Sequence, residues 1–125
     1  INRMILLDSN IVIGYLNGDE KIVTTLDTLK QEREGVCISS ISVAEALSLS
    51  SITDDKIQTI EQFLSGFIVI HPDMDIARTA ARFRRINKLD LPDAFIAATA
   101  RVHDIPLATR DKKMRTLPGI VFAEI

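Results

Sequence analysis

The sequence predicts an α/β domain built on a mostly parallel sheet, and three observations carry that reading. Short apolar runs of strand length recur along the chain, helical periodicities fill the intervals between them, and no linker, repeat or low-complexity tract interrupts the pattern. Strands separated by helical stretches imply parallel pairing with right-handed crossovers. With 125 residues, 46% of them hydrophobic, the chain suits one compact domain with a proper core and no need of disulfides.

The elements follow in order. Met4-Ile5-Leu6-Leu7, closed by Asp8-Ser9-Asn10, reads as a buried strand that delivers a polar turn, and a short helix follows over Ile11 to Leu16. Gly18 breaks that pattern. From Asp19 onward Ile22, Val23, Leu26 and Leu29 recur at helical spacing, with Gly35 as the expected C-terminal stop. Val36 to Ser39 is a second strand, Ser40 to Leu49 a third helix, and Ile57, Ile60, Phe63 and Leu64 mark a fourth that ends near Gly66. Phe67 to Ile70 is the third strand. A helix from about Asp73 to Ile86 places Ile76, Ala80 and Phe83 on one face and Arg82, Arg85 and Lys88 on the other. After Asp90-Leu91-Pro92, the alanine-rich segment Asp93 to Val102 is apolar almost all round and should pack as a central helix; Pro106 to Thr109 and Ile120 to Phe122 complete the strands.

Composition bounds the function. The single cysteine, Cys37, lies in an apolar run and reads as a small buried hydrophobe in a reducing compartment. No apolar stretch approaches the roughly 20 residues that cross a bilayer, and Asp8, Asp19 and Glu20 stand where a signal peptide would be apolar. A soluble cytoplasmic protein is expected. The formal net charge of −2 argues against capture of nucleic acid by bulk attraction, so the position of each charge matters more than the sum.

In open α/β sheets ligands bind outside the carboxyl ends of the strands, and Asp8 and Asp111 both follow strands directly. Glu45 and Asp93 fall in the first turns of helices expected at the same edge. Four carboxylates in one crevice repel one another unless a cation neutralises them, and a hard divalent ion such as Mg²⁺ does so with oxygen ligands and retained waters. Phosphodiester hydrolysis suits such a site, because phosphoryl transfer needs positioning and charge stabilisation more than a nucleophilic side chain. No Ser-His-Asp or Cys-His set competes, and His71 and His103 receive no catalytic role.

Each acid also has a structural explanation. Asp8 reads equally as a helix cap; Asp90 and Asp93 flank Pro92 as in a capping-box start; Ser42-Val43-Ala44-Glu45 allows the same reading; and Asp111 is placed to cap a short last helix. Caps do not explain the shared edge. Arg82, Arg84, Arg85 and Lys88 read first as a solvated helix face. Arg110, Lys112, Lys113 and Arg115 flank Asp111, and with Arg82 and Arg85 they are the candidates for contacting a phosphodiester substrate. Stacking on bases looks limited, with Tyr15 the only tyrosine and no tryptophan.

Four segments, Leu6-Leu7-Asp8-Ser9-Asn10, Ser42-Val43-Ala44-Glu45, Leu91-Pro92-Asp93-Ala94-Phe95-Ile96-Ala97-Ala98-Thr99-Ala100 and Ala108-Thr109-Arg110-Asp111, together resemble the PIN-domain ribonucleases, especially the VapC-type toxins of toxin–antitoxin pairs. The resemblance spans essentially the whole chain. It implies a PIN-like three-layer α/β/α sandwich with four to five strands over residues 1–125. It implies an acidic quartet of Asp8, Glu45, Asp93 and Asp111 that holds Mg²⁺ or Mn²⁺, supported by hydrogen bonds from Thr109, Ser9 and Asn10. Asp111 stands where relatives carry either Asn or Asp, so it binds metal through water or orients its neighbours. An RNA substrate, a homodimer and a small antitoxin that blocks the site are implied as well. Two alternatives stay open: a PIN fold that binds RNA or protein without cutting, and a receiver-like phosphoacceptor module. The receiver needs a phosphorylatable Asp after a middle strand, where this chain has Ser39-Ser40 and His71-Pro72.

Overall fold

The computed structural model describes residues 4–32, 35–48 and 51–124. Its strands are Met4–Leu7 (β1), Gly35–Ser39 (β2), Ile68–Ile70 (β3) and Leu107–Ala108 (β4). Its helices are Ser9–Leu16 (α1), Glu20–Glu32 (α2), Ser40–Ala46 (α3), Asp54–Leu64 (α4), Met74–Asn87 (α5) and Leu91–His103 (α6), with a 3₁₀ turn at Met114–Thr116. The sheet runs β3-β2-β1-β4, every pairing parallel, with Ile5 opposite Val36, Cys37 opposite Ile68 and Leu7 opposite Ala108.

Alternation along the strands divides the core in two. Ile5, Leu7, Val36 and Ile38 face one side and pack with Ile11 and Val12 of α1, Ile22, Leu26 and Leu29 of α2, and Ile60 and Leu64 of α4. Leu6 and Cys37 face the other and pack with Ile76, Ala80 and Phe83 of α5 and with Ala94, Ile96, Ala97 and Ala100 of α6. A sheet covered on both faces needs strands that are apolar throughout, which is why β1 and β2 read as unbroken apolar runs. The small side chains of α6 let it lie close against α5.

Several boundaries differ from expectation for physical reasons. Gly35 does not stop a helix but opens β2, where a Cβ would lie 2.8 Å from Ile68 Cδ1 and 3.3 Å from Met4 Cγ, side-chain atoms of the two flanking strands that would have to shift for a larger residue. The first helix begins at Ser9 rather than Ile11, because Asp8 caps it. The last helix before β4 begins at Leu91 rather than Asp93, with Pro92 accommodated in its first turn. The third helix ends at Ala46, short of Leu49, which lies outside the described residues. Ile120 to Phe122 forms no full strand: a single bridge joins Phe122 to Leu107, held by bonds from Leu107 N to Val121 O and from Ala123 N to Leu107 O, each 2.9 Å. The strand order also bears on the receiver alternative. Receiver-like sheets run 2-1-3-4-5 and set β3 beside β1, whereas here β4 takes that place, β3 is an edge strand, and β1, which delivers Asp8, is internal.

Candidate active site

Asp8 leaves β1 with extended backbone and caps α1, its Oδ1 accepting from Ser9 N at 2.8 Å. Its Oδ2 accepts from the Thr109 hydroxyl at 2.6 Å. Thr109 follows β4 and is buried; its Oγ1 in turn accepts from Asp111 N at 3.0 Å. One relay therefore runs from the Asp111 amide through Thr109 to Asp8. Asp8 is only 3% exposed, and burial raises its pKa above the usual carboxylate range; the bonds from Thr109 and Ser9 oppose that shift, and the charges of Asp111 and Glu45 add to it.

Ser9 links the second acid, Glu45, which lies in the last turn of the short helix α3 rather than in its first turn as the sequence suggested. The Ser9 hydroxyl donates to Glu45 Oε1 at 2.6 Å and also lies 2.8 Å from Ser42 Oγ. The capping-box reading of Ser42 and Glu45 fails, because α3 is capped by Ser39, whose side chain accepts from Ile41 N at 3.1 Å. Ser42 is buried, and sequence reasoning assigned it no place at the site. The signal was present in the i, i+3 spacing from Glu45, which puts both on one face of a helix.

Asp93 sits half-buried in the first turn of α6. The capping reading fails here too: Asp90 is the N-cap residue but makes no side-chain capping bond. Burial pushes the Asp93 pKa up from its ordinary 3.8 to about 6, reinforced by the negative charges of Asp8, Asp111, Glu45 and Asp90. Asp8, Asp111 and Glu45 thus lie near enough to Asp93 for their charges to be felt there. Asp111 Oδ1 accepts from Lys113 N at 2.8 Å and Met114 N at 3.3 Å at the entrance to the 3₁₀ turn, whose N-cap residue is Lys113, so Asp111 braces this loop as well as adding its charge to the cluster. Asn10 is exposed and gives the acids no hydrogen bond among the described residues.

The candidate bases divide in the same way. Arg110 is ion-paired with Asp19 at 3.0 Å, Lys113 donates to Lys88 O at 2.8 Å, and Arg115 donates to Thr109 O at 3.3 Å while its guanidinium lies 5.4 Å from the centre of the Phe122 ring. These three brace the loop after β4. Arg82, Arg85 and Lys112 are exposed and bind nothing among the described residues. Arg85 lines an open groove with Arg84, Lys88, Leu89, Asp90 and Leu91 that leads to the start of α6.

Among the described residues no three acids, histidines or cysteines approach closely enough to form a ready-made metal cage. The donor set nevertheless fits a hard divalent ion: it is all oxygen, Cys37 is buried within the sheet, and Mg²⁺ takes one or two carboxylates directly while keeping its waters.

Fold and site together define a parallel α/β domain with an acidic centre suited to a hard cation at the carboxyl edge of its sheet. The chain belongs to the PIN-domain family, whose model matches residues 5–120. It is 35% identical over 113 residues to Ribonuclease VapC10 of Mycobacterium tuberculosis, covering 85% of this chain and 81% of that protein. It is 34% identical over 125 residues to Toxin FitB of Neisseria gonorrhoeae, covering 86% and 88%. Among solved structures, a toxin–antitoxin complex from Klebsiella pneumoniae contains a chain 33% identical to this one, with a TM-score of 0.80 over 96% of this chain and 98% of that one. No helix among the described residues is long and apolar enough to cross a membrane.

Proposed function

We propose that this chain is a divalent-metal-dependent endoribonuclease and the toxin of a toxin–antitoxin pair. The observation that carries the reading is the gathering of Asp8, Glu45, Asp93 and Asp111 from four separate elements, near enough that the others' charges add to the burial that pushes the Asp93 pKa to about 6. A cation bound among them would offset both the repulsion and the cost of burial. Asp8 and Asp93 would hold Mg²⁺ or Mn²⁺, with Glu45 and Asp111 holding its waters or a second ion. When bound, the ion stabilises charge on the phosphoryl oxygens and lowers the pKa of the attacking water. Thr109 and Ser9 keep Asp8 aimed, and Ser9 does the same for Glu45. Arg82, Arg85 and Lys112 lie free to take RNA phosphates.

The names of the relatives support ribonuclease activity, and the Klebsiella complex supports a cognate antitoxin. An apolar cleft beside Glu45, lined by Ile13, Leu16, Ala46 and Ile60, gives such a partner a foothold next to the acids. A homodimer in the cytoplasm completes the proposal. The test is direct: the chelator-stripped protein is incubated with RNA, with and without Mn²⁺. Internal cleavage that needs the ion and disappears in Asp8→Asn is expected. Cleavage that survives chelation, or persists in that variant, would remove the reading. Expression in cells with and without the neighbouring gene, followed by sequencing of RNA ends, tests the partner and the target together.

A further inference from the structure

Ser9 has one hydroxyl proton, and two neighbours lie within hydrogen-bond reach of its oxygen. Glu45 Oε1, at 2.6 Å, belongs to a carboxylate and accepts only. The proton of Ser9 is therefore committed to Glu45. Across the 2.8 Å contact with Ser42 the oxygen of Ser9 must accept, and Ser42 must donate. The chain of bonds is thus directional, from Ser42 to Ser9 to Glu45. Ser42 is 1% exposed and Ser9 7%, so no bulk water competes for either hydroxyl. Ser9 also donates its backbone N–H to Asp8 at 2.8 Å, so what fixes its hydroxyl rotor also ties two acids on different elements to one residue.

We propose that Ser42 is a positioning residue of the acidic site: by donating to Ser9 it fixes the Ser9 hydroxyl toward Glu45 and sets the direction in which that carboxylate faces the cation. This rests on the metal-dependent reading above. It makes Ser42 and Ser9 a counterpart of the Asp111–Thr109 relay on the far side of Asp8, where a backbone amide does what the Ser42 hydroxyl does here. Hydrogen-bonded groups in series are coupled, so their removal is not additive.

The test is a double-mutant cycle read on Mn²⁺ affinity by electron paramagnetic resonance, on RNA cleavage and on melting temperature in chelator. Removing outer groups that orient metal ligands commonly costs 10–100-fold, so Ser9→Ala should weaken Mn²⁺ binding about tenfold, and Ser42→Ala about threefold because the bond from Ser9 to Glu45 survives its loss. The double variant should bind no more weakly than Ser9→Ala alone. Ser42→Ala should lower kcat with KM for RNA unchanged. Additive losses in the double variant, or unchanged Mn²⁺ affinity in Ser42→Ala, would overturn the relay while leaving the nuclease reading intact. A parent protein that binds no Mn²⁺ and cuts no RNA would overturn both.

Discussion

Asp8 and Asp93 face the same space, yet the fold treats them differently. Both oxygens of Asp8 are occupied, one by Ser9 N and the other by Thr109, and the residue is almost wholly buried at the end of an internal strand. Asp93 is half-buried on the first turn of a helix, with no protein donor on its carboxylate among the described residues, and it absorbs the charge of three neighbouring site acids. The difference separates two kinds of work. Asp8 is oriented before any cation arrives, and hydrogen bonds offset part of the cost of burying its charge. Asp93 waits where burial and then the neighbouring charges favour its protonated form, and a cation is what would return it to the charged one.

The comparison breaks first at the acids themselves. Asp8→Asn and Asp93→Asn should each reduce metal-dependent RNA cleavage by at least about a thousandfold, since several kcal/mol of charge stabilisation are lost and each 1.36 kcal/mol is tenfold in rate. They should part in stability. In chelator at neutral pH, Asp93→Asn should melt higher than the parent because a repelling charge has gone, whereas Asp8→Asn turns an amide NH₂ toward donors and should gain less. Thermal melts beside cleavage assays check both. A lowered melting temperature with cleavage unaffected would return either residue to a capping role.

Next in size is the relay that holds Asp8. Thr109→Val keeps the shape but removes the donor to Asp8 and the acceptor of the Asp111 amide. Leaving buried partners unsatisfied costs about 1–3 kcal/mol of stability, and loss of an orienting group about 10–100-fold in cation affinity or activity. A variant that loses stability alone would show that Thr109 serves the fold and not the acids.

These hydrogen bonds mark how far the sequence could be read. Apolar runs and helical spacing located every strand and helix near its place, because a sheet buried on both faces demands long apolar runs. Asp8, Asp93 and Asp111 were legible because each stands at a predicted strand end or helix start on one edge, whereas Glu45 lies in the last turn of α3 and not in the first turn where the sequence put it. The hydroxyls between them were harder to see: Ser9 meets Ser42 across 33 residues and Glu45 across 36, and Asp8 meets Thr109 across 101. Nothing local in the sequence states such pairings. Gly35 failed for a related reason. A glycine after a helical period resembles a C-terminal stop, and only the pairing with Met4 across the sheet shows that it opens β2. The last apolar segment, Ile120 to Phe122, had the composition of a strand, but only Phe122 meets β4 in a bridge.

A smaller effect tests Asp93 through pH. Its pKa is about 6 in the fold against an ordinary 3.8, so the folded chain holds a proton that the unfolded chain releases. The stability this contributes is full below about pH 3.8 and is lost as pH rises through about 6. In chelator the melting temperature of the parent should therefore fall relative to Asp93→Asn across that window. Mg²⁺ added at pH 7 should raise it again in the parent and not in the variant, and cleavage should climb with pH through the same range. Parallel melting curves for the two proteins would deny Asp93 its place in the shared field.

The division between committed and free groups extends to the bases, where the smallest effects are expected. Arg110, Lys113 and Arg115 are spent on Asp19, Lys88 O and Thr109 O, and removing them should loosen the loop that carries Asp111. Arg85 and Lys112 are exposed and have no partner among the described residues. A base that contacts one phosphate contributes about one to the slope of log affinity against log salt. Arg85→Gln and Lys112→Gln should each reduce that slope by about one and raise KM for RNA, with kcat and melting temperature unchanged. Arg110→Gln should do the reverse, leaving the slope alone and lowering kcat through the displaced loop. If all three altered the slope alike, the ion pair with Asp19 would be no more than a resting place that RNA readily displaces, and the distinction between bases that brace the site and bases that receive substrate would fall.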